Sequence, residues 1–125
     1  MRETVLLYNF DSERLPKVKR ALLPLKFFIK TVSKEDFSQP IGVLVGIKGI
    51  EPVEEKYDGD GFNDEMIVMG GFTSAKIDAL VRALNKNGIG KIALKAVITP
   101  TNVNWNSVEL YKAVKADHEE MNKNN

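Results

Sequence analysis

The chain of 125 residues has no cysteine, one histidine and one tryptophan, and its formal net charge is only +1. Without cysteine there is no disulfide framework, thiol nucleophile, thiolate zinc site or iron–sulfur cluster. The lone histidine, His118, excludes any metal site or proton relay that needs two histidines within one chain. No stretch approaches the roughly 18 uninterrupted apolar residues that a membrane-spanning helix requires. The short apolar run after Met1-Arg2-Glu3-Thr4 does not read as a secretory signal. The expectation is a soluble cytoplasmic protein with no membrane association. Also missing is any arrangement of serine, histidine and carboxylate that sequence spacing alone identifies as catalytic. No catalytic residue, metal or cofactor is therefore expected.

What is present is the composition of one ordinary domain, 43% hydrophobic and 28% charged. A chain of this length buries roughly two-thirds of the surface its unfolded form exposes, enough for a core without staples.

The chain repeats itself. With residues 5–22 laid over residues 67–84, Phe10, Ser12, Arg20, Ala21 and Leu22 match Phe72, Ser74, Arg82, Ala83 and Leu84. After a gap at Asn87 to Ile89, Lys30 and Val32 fall on Lys95 and Val97. A half-chain repeat implies two copies of one supersecondary unit. Each copy opens with a short apolar run, Val5 to Tyr8 or Met66 to Met69, then a polar turn and a helical stripe. The stripes are Leu15, Val18, Leu22 and Leu25 in the first copy, and Ile77, Leu80, Val81 and Leu84 in the second. A second strand follows in each, Phe27 to Val32 and Lys91 to Ile98, and then a capping-box spacing, Ser33 with Asp36 and Asn106 with Glu109. Trp105, Val108, Leu110, Tyr111, Val114 and Met121 form the apolar face of a last helix over about 105–121, with Trp105 as a core anchor. Residues 39–46 read as a short helix or a strand, with helix preferred.

The result is one domain over 1–125: a first βαβα unit at 4–46, an acidic linker loop at 47–64, and a second βαβα unit at 65–122. The fold class is α+β, with two quasi-repeated βαβ(α) units. An antiparallel join of the copies gives a ferredoxin-like four-stranded sheet, helices on one face, with extra helices added. The alternative is a small three-layer α/β domain with a parallel sheet. Two of the four strands read as half polar, which favours the first, because parallel sheets covered on both faces carry continuous apolar strands.

Because a strand-helix-strand crossover makes its strands parallel, the turn Gly70 to Ser74 and the loop Thr99 to Asn102 must leave the same sheet end. Gly70 and Gly71 allow close approach of backbone, the following helix N-terminus offers free N–H groups, and Thr73, Ser74, Thr99, Thr101 and Asn102 add hydroxyls and an amide. These seven residues are the candidate ligand-binding site, suited to a small anion or a carbonyl-bearing ligand. The spacing lacks both G-x-G-x-x-G and the P-loop lysine. A tight turn with helix-capping hydroxyls explains the same residues.

Charge is uneven. From Arg14 to Lys34 there are seven basic residues and no acidic one, and from Glu51 to Glu65 seven acidic residues and one lysine. The basic stretch suggests either a phosphate-binding face for nucleic acid or a solvated face neutralised by the acidic loop or by a partner subunit. Aromatic interleaving is thin, since Phe27 and Phe28 are expected in the core. Asp58 to Glu65 fails as an EF-hand because Phe62 and Asn63 stand where an oxygen ligand and a glycine belong, which leaves a mobile, solvated loop. His118, near the end of the last helix, reads as exposed.

At Gly71-Phe72-Thr73-Ser74, with Leu94 to Asn102 and Trp105, the chain resembles a family of short bacterial proteins known only as a domain of unknown function. Its Thr-Pro-Thr-Asn-x-x-Trp string, Thr99 to Trp105, is the most specific part, and the likeness covers about residues 65–122. The resemblance implies a small bacterial protein of this architecture and nothing about activity.

Three functions are compared on these grounds. The first is a non-enzymatic binding or interaction module, self-associating or with a protein partner, using the Gly70 and Thr99 loops. The second is a nucleic-acid-binding domain using the 14–34 face. The third is a cofactor-free enzyme using Asp11, Lys34, Glu35 and Asp36.

Overall fold

The computed structural model describes residues 2–123. Strand β1 (Thr4–Tyr8) leads to helix α1 (Arg14–Leu22), a 3-10 turn (Leu23–Leu25) and strand β2 (Phe28–Thr31). A second 3-10 turn (Lys34–Ser38) and the short helix α2 (Ile41–Leu44) follow, so residues 39–46 hold a helix and no strand. Strand β3 (Met66–Gly70), helix α3 (Ser74–Lys86), strand β4 (Leu94–Val97) and helix α4 (Ser107–Lys123) complete the chain.

The four strands form one mixed sheet in the order β2-β1-β3-β4. Within each half the strands run parallel, whereas β1 and β3 meet antiparallel, with Leu6 opposite Val68 at the centre of the register. The antiparallel join rules out the all-parallel sheet. The ferredoxin-like expectation holds only at the coarser level of an α+β domain with a four-stranded mixed sheet. In the split arrangement each parallel pair is separated by a strand of the other unit; here each parallel pair is hydrogen-bonded directly and the two units lie side by side.

Helices also cover both faces, not one. Alternation along β1 and β3 sends Val5, Leu7, Ile67 and Met69 into a core with Val18 and Leu22 of α1 and Leu80 and Leu84 of α3. It sends Leu6, Tyr8, Met66 and Val68 into a second core with Phe37, Ile41, Phe62 and Leu110. Central strands buried on both faces carry near-continuous apolar runs, and β1 and β3 are buried at every residue, with Thr4 the polar exception. The half-polar strands are the outer ones, β2 and β4, which each have a free edge.

The repeat alignment is in step with the structure through the first strand and helix of each half and out of step by one residue in the second strand. Lys30 lies opposite Leu6 and Lys95 opposite Ile67, positions that face different cores. A one-residue slip exchanges the faces of a strand, so Lys30 and Lys95 are not equivalent in space.

The acidic segment is held down. Phe62 is buried and stacks on Tyr111 (centroids 4.1 Å apart) and on Phe37 (4.9 Å). Asn9 Nδ2 donates to the carbonyls of Phe62 and Asp64, the Gln39 amide exchanges two hydrogen bonds with the Val53 backbone, and Ser38 Oγ donates to the Glu55 carbonyl. Phe62 and these hydrogen bonds anchor the strap to the second face, while Glu51 to Lys56, Asp58, Asp60 and Asn63 are exposed, as expected of a solvated loop.

Candidate functional site

The turn after β3 and the loop after β4 leave the same end of the sheet, since Met69 lies opposite Val97 in parallel strands. Gly71 turns there with φ +77°, a conformation glycine adopts without strain. Most of the polar groups at this end already have partners. Thr73 caps α3, its Oγ1 accepting from the Lys76 N–H at 3.3 Å. Asn102 is buried; its Oδ1 accepts from the Thr99 N–H at 2.9 Å, its Nδ2 donates to the Val97 carbonyl at 3.1 Å, and its own N–H donates to Thr99 Oγ1 at 3.1 Å. Gly71, Ser74, Thr99 and Thr101 are exposed and Gly70 is buried at the strand end. The structure thus gathers the seven predicted residues at one sheet end, where Thr73, Thr99 and Asn102 hold the loops in shape.

Beside this end opens a cleft of about 580 Å³ between β4 and α4. It forms because α4 lies along the outermost strand, where small side chains, Ala96 of the strand and Ala93 just before it, share the lining with Ala113 and Val114. The start of α4 is set by a reciprocal capping box: the Asn106 N–H donates to Glu109 Oε1 (3.0 Å) and the Glu109 N–H to Asn106 Oδ1 (2.9 Å). Trp105 is half-buried against the second core and lines the cleft, and its backbone carbonyl accepts from the Ile41 N–H at 2.8 Å, which ties the loop to α2. The helix then continues beyond the sheet, so Met121, expected on the buried face, is 69% exposed. His118, expected to be merely exposed, is half-buried and lines the cleft beside Asp117. Asn122 Nδ2 donates to His118 Nε2 at 3.1 Å when the ring proton is on Nδ1. Of the seven predicted residues, Asn102 lines the cleft.

At the foot of the cleft a smaller recess of about 360 Å³ adjoins Asp64, Glu65, Lys91, Lys115 and His118. Its carboxylates are paired. Asp64 accepts from Lys115 Nζ (2.7 Å) and the Tyr111 hydroxyl (3.2 Å); the Lys115 hydrogen bond holds its carboxyl below the ordinary aspartate range and raises Lys115 in turn. Glu65 accepts from Arg14 at 2.6 and 3.1 Å, which raises Arg14 further. Lys91 and Lys95 make no ion pair among the described residues. Burial, with Lys91 nearby, lowers the Lys95 pKa, and its ammonium donates to the Ile92 carbonyl.

The basic stretch does not form one face. Arg14 is engaged by Glu65, α1 lies over the first core, and Lys30 reaches from the opposite face of the sheet toward the Leu44 carbonyl. Phe27 is buried as expected, but Phe28 is 47% exposed with the Arg2 guanidinium over its ring. The enzyme candidates do not form an acid–base pair: Asp11 Oδ1 accepts from the Glu13 and Arg14 N–H groups at the start of α1, Asp36 accepts from Ser33, and Glu35 pairs with Lys56. Among the described residues no group of three or more His, Asp or Glu side chains is placed to hold a metal ion.

A domain of unknown function, DUF3783, is found at residues 65–121. The matched segment runs from the residue before β3 to Met121 in α4 and contains every residue lining the cleft except Asn122. No curated protein and no solved structure matches the chain. Sequence reasoning missed Lys91, Lys95, Ala113, Val114 and His118 as neighbours. The available sign was the pairing of alanines on a strand with alanine and valine on a helix that outruns it.

Proposed function

We propose that the protein is a non-enzymatic binding module and that its binding surface is the β4–α4 cleft, with the Thr99 to Asn102 loop closing one end. The observation that carries this reading is the cleft itself: an apolar floor of Ala96, Leu110, Val114 and Trp105 with Lys91 and Lys95 at its rim. A concave apolar surface with a few convergent polar groups is the usual form of a ligand site. Two lysines against the single carboxylate of Asp117 leave the lining net positive, which favours an anionic occupant. The Gly70 to Ser74 turn is a support for the neighbouring loop in this reading. The rest of the chain is a second copy of the strand-helix-strand unit that completes the sheet, a relation supported by the β1–β3 register centred on the aligned positions Leu6 and Val68.

A ligand that binds the folded state raises the midpoint of thermal unfolding. Small carboxylates and nucleotides that raise it for the unaltered protein are expected to lose that effect in Ala113→Phe, which fills the cleft from α4. Ligands that act equally on Ala113→Phe but fail on Gly71→Val with Thr101→Ala would return the site to the loop end.

A further inference from the structure

β4 is an edge strand flanked by a groove. The Ile98 N–H donates to the Met69 carbonyl, so by the alternation of strand backbone the N–H groups of Lys95 and Val97 point away from β3. Neither donates to a protein group among the described residues. The Val97 carbonyl on this edge accepts from Asn102, whereas the Lys95 carbonyl accepts from no group off the sheet among the described residues. The edge therefore presents two donors and an acceptor along the open side of the cleft.

We propose that an extended, acidic segment of a partner protein adds to β4 as a fifth strand, a conclusion that rests on the cleft being the binding surface. Strand addition takes affinity from backbone hydrogen bonds and specificity from alternate side chains. Directly opposed residues share a sheet face. A partner residue opposite Lys95 projects toward α3, where a recess of about 310 Å³ lies between Lys95, Lys91, Leu84 and Asn85. A carboxylate there meets two lysines that have no ion-pair partner among the described residues, and it favours the charged form of Lys95 that burial opposes. The partner residues on either side project toward α4, onto Ala96, Val114 and Trp105, and are apolar. The recognised pattern is apolar, acidic, apolar. Lining residues of α4 from Leu110 to Met121 span about 16 Å at the helical rise, the length of about five extended residues.

The same edge rejects a second copy of this chain. Antiparallel self-pairing centred on Lys95 sets two lysines opposite each other. Self-pairing centred on Ala96 requires the Val97 carbonyl, which Asn102 already engages. The other edge, β2, has Arg2 stacked on Phe28 and Lys30 drawn to Leu44.

Two fluorescein-labelled pentapeptides test the proposal by anisotropy, one alternating valine with glutamate and one alternating valine with lysine. The glutamate peptide is expected to bind, the lysine peptide not. Lys95→Glu should weaken the first by about tenfold, turning an attractive cross-strand pair repulsive, and admit the second. N-methylation of one alternating set of peptide amides should abolish binding, and of the other set leave it intact. No binding of the glutamate peptide, indifference to Lys95→Glu, or equal tolerance of both methylation patterns overturns strand addition. If those results occur while small ligands remain sensitive to Ala113→Phe, the cleft stands as a binding surface without a strand; if Ala113→Phe changes neither ligand nor peptide binding, the cleft falls as well.

Discussion

Tyr8 and Lys95 show how single residues fix the chemistry of this sheet. The Tyr8 hydroxyl is fully buried and hydrogen-bonds Ser107 Oγ at 2.8 Å, joining the first strand to the last helix. Burial raises its pKa, so it is a neutral phenol at all physiological pH. Tyr8→Phe leaves the buried Ser107 hydroxyl without that partner and is expected to cost about 1–3 kcal/mol, measured by chemical denaturation. Lys95 works in the opposite sense. Its folded pKa is lowered, first by burial and then by Lys91, so the folded state binds its proton less readily than the unfolded state. The penalty is full below the folded pKa and is relieved as pH rises from there to the unfolded value of about 10.4. Lys95→Met should therefore stabilise the protein at pH 7, with the gain shrinking as pH climbs through that window in thermal melts. A constant gain across the same pH range would show that charge burial is not its source.

At the scale of elements, the strap 47–64 and helix α4 divide the second face of the sheet between them. Phe62 is the contact that joins them, buried and stacked on both Tyr111 of α4 and Phe37. Phe62→Ala is expected to destabilise the fold by about 3–5 kcal/mol, as for other buried aromatics, and to increase hydrogen exchange at Asn9, Val53 and Tyr57 beyond that of α3. Equal loosening of both faces would deny the strap a separate role. The Asp64 carboxylate pins the end of the same strap to Lys115 and Tyr111. Because its pKa is lowered in the folded state, its contribution is present above the ordinary aspartate value of about 3.9 and is lost as pH falls through the lower folded value. Asp64→Asn should lower the melting midpoint at pH 7 and lose that effect in strong acid.

These elements also show what the sequence makes legible. The helices and the capping box at Asn106 follow from periodicity and spacing because local physics decides them, whereas the antiparallel join of β1 and β3 is decided by packing between the halves. Phe62 is set among carboxylates, so nothing near it in sequence indicates that it completes an aromatic stack with residues of two distant elements. Lys30 and Lys95 look equivalent in the repeat, yet a register difference of one residue puts them on opposite faces. His118 is in a charged run, and only the overshoot of α4 past β4 turns it into the cleft.

For the whole molecule, a side-by-side pair of strand-helix-strand units leaves two outer edges, and the second half of the chain lays its longest helix along one of them. That pairing of an open edge with a long helix is what creates the cleft within the DUF3783 segment. The loop end gathered by parallel strands was legible from the sequence, since right-handed crossovers require it. The cleft was not, because it depends on strand order, on the length of α4 beyond the sheet and on four small side chains meeting across a gap. The most direct measurement is an amide-resolved NMR titration of the labelled protein with small carboxylates, nucleotides and the glutamate pentapeptide. The account predicts saturable shifts at Lys95, Ala96, Val97, Ala113 and His118, with Gly71, Ser74, Lys17 and Arg20 unmoved. Saturable shifts confined to Gly71 and Ser74, or salt-sensitive shifts at Lys17 and Arg20, would contradict it.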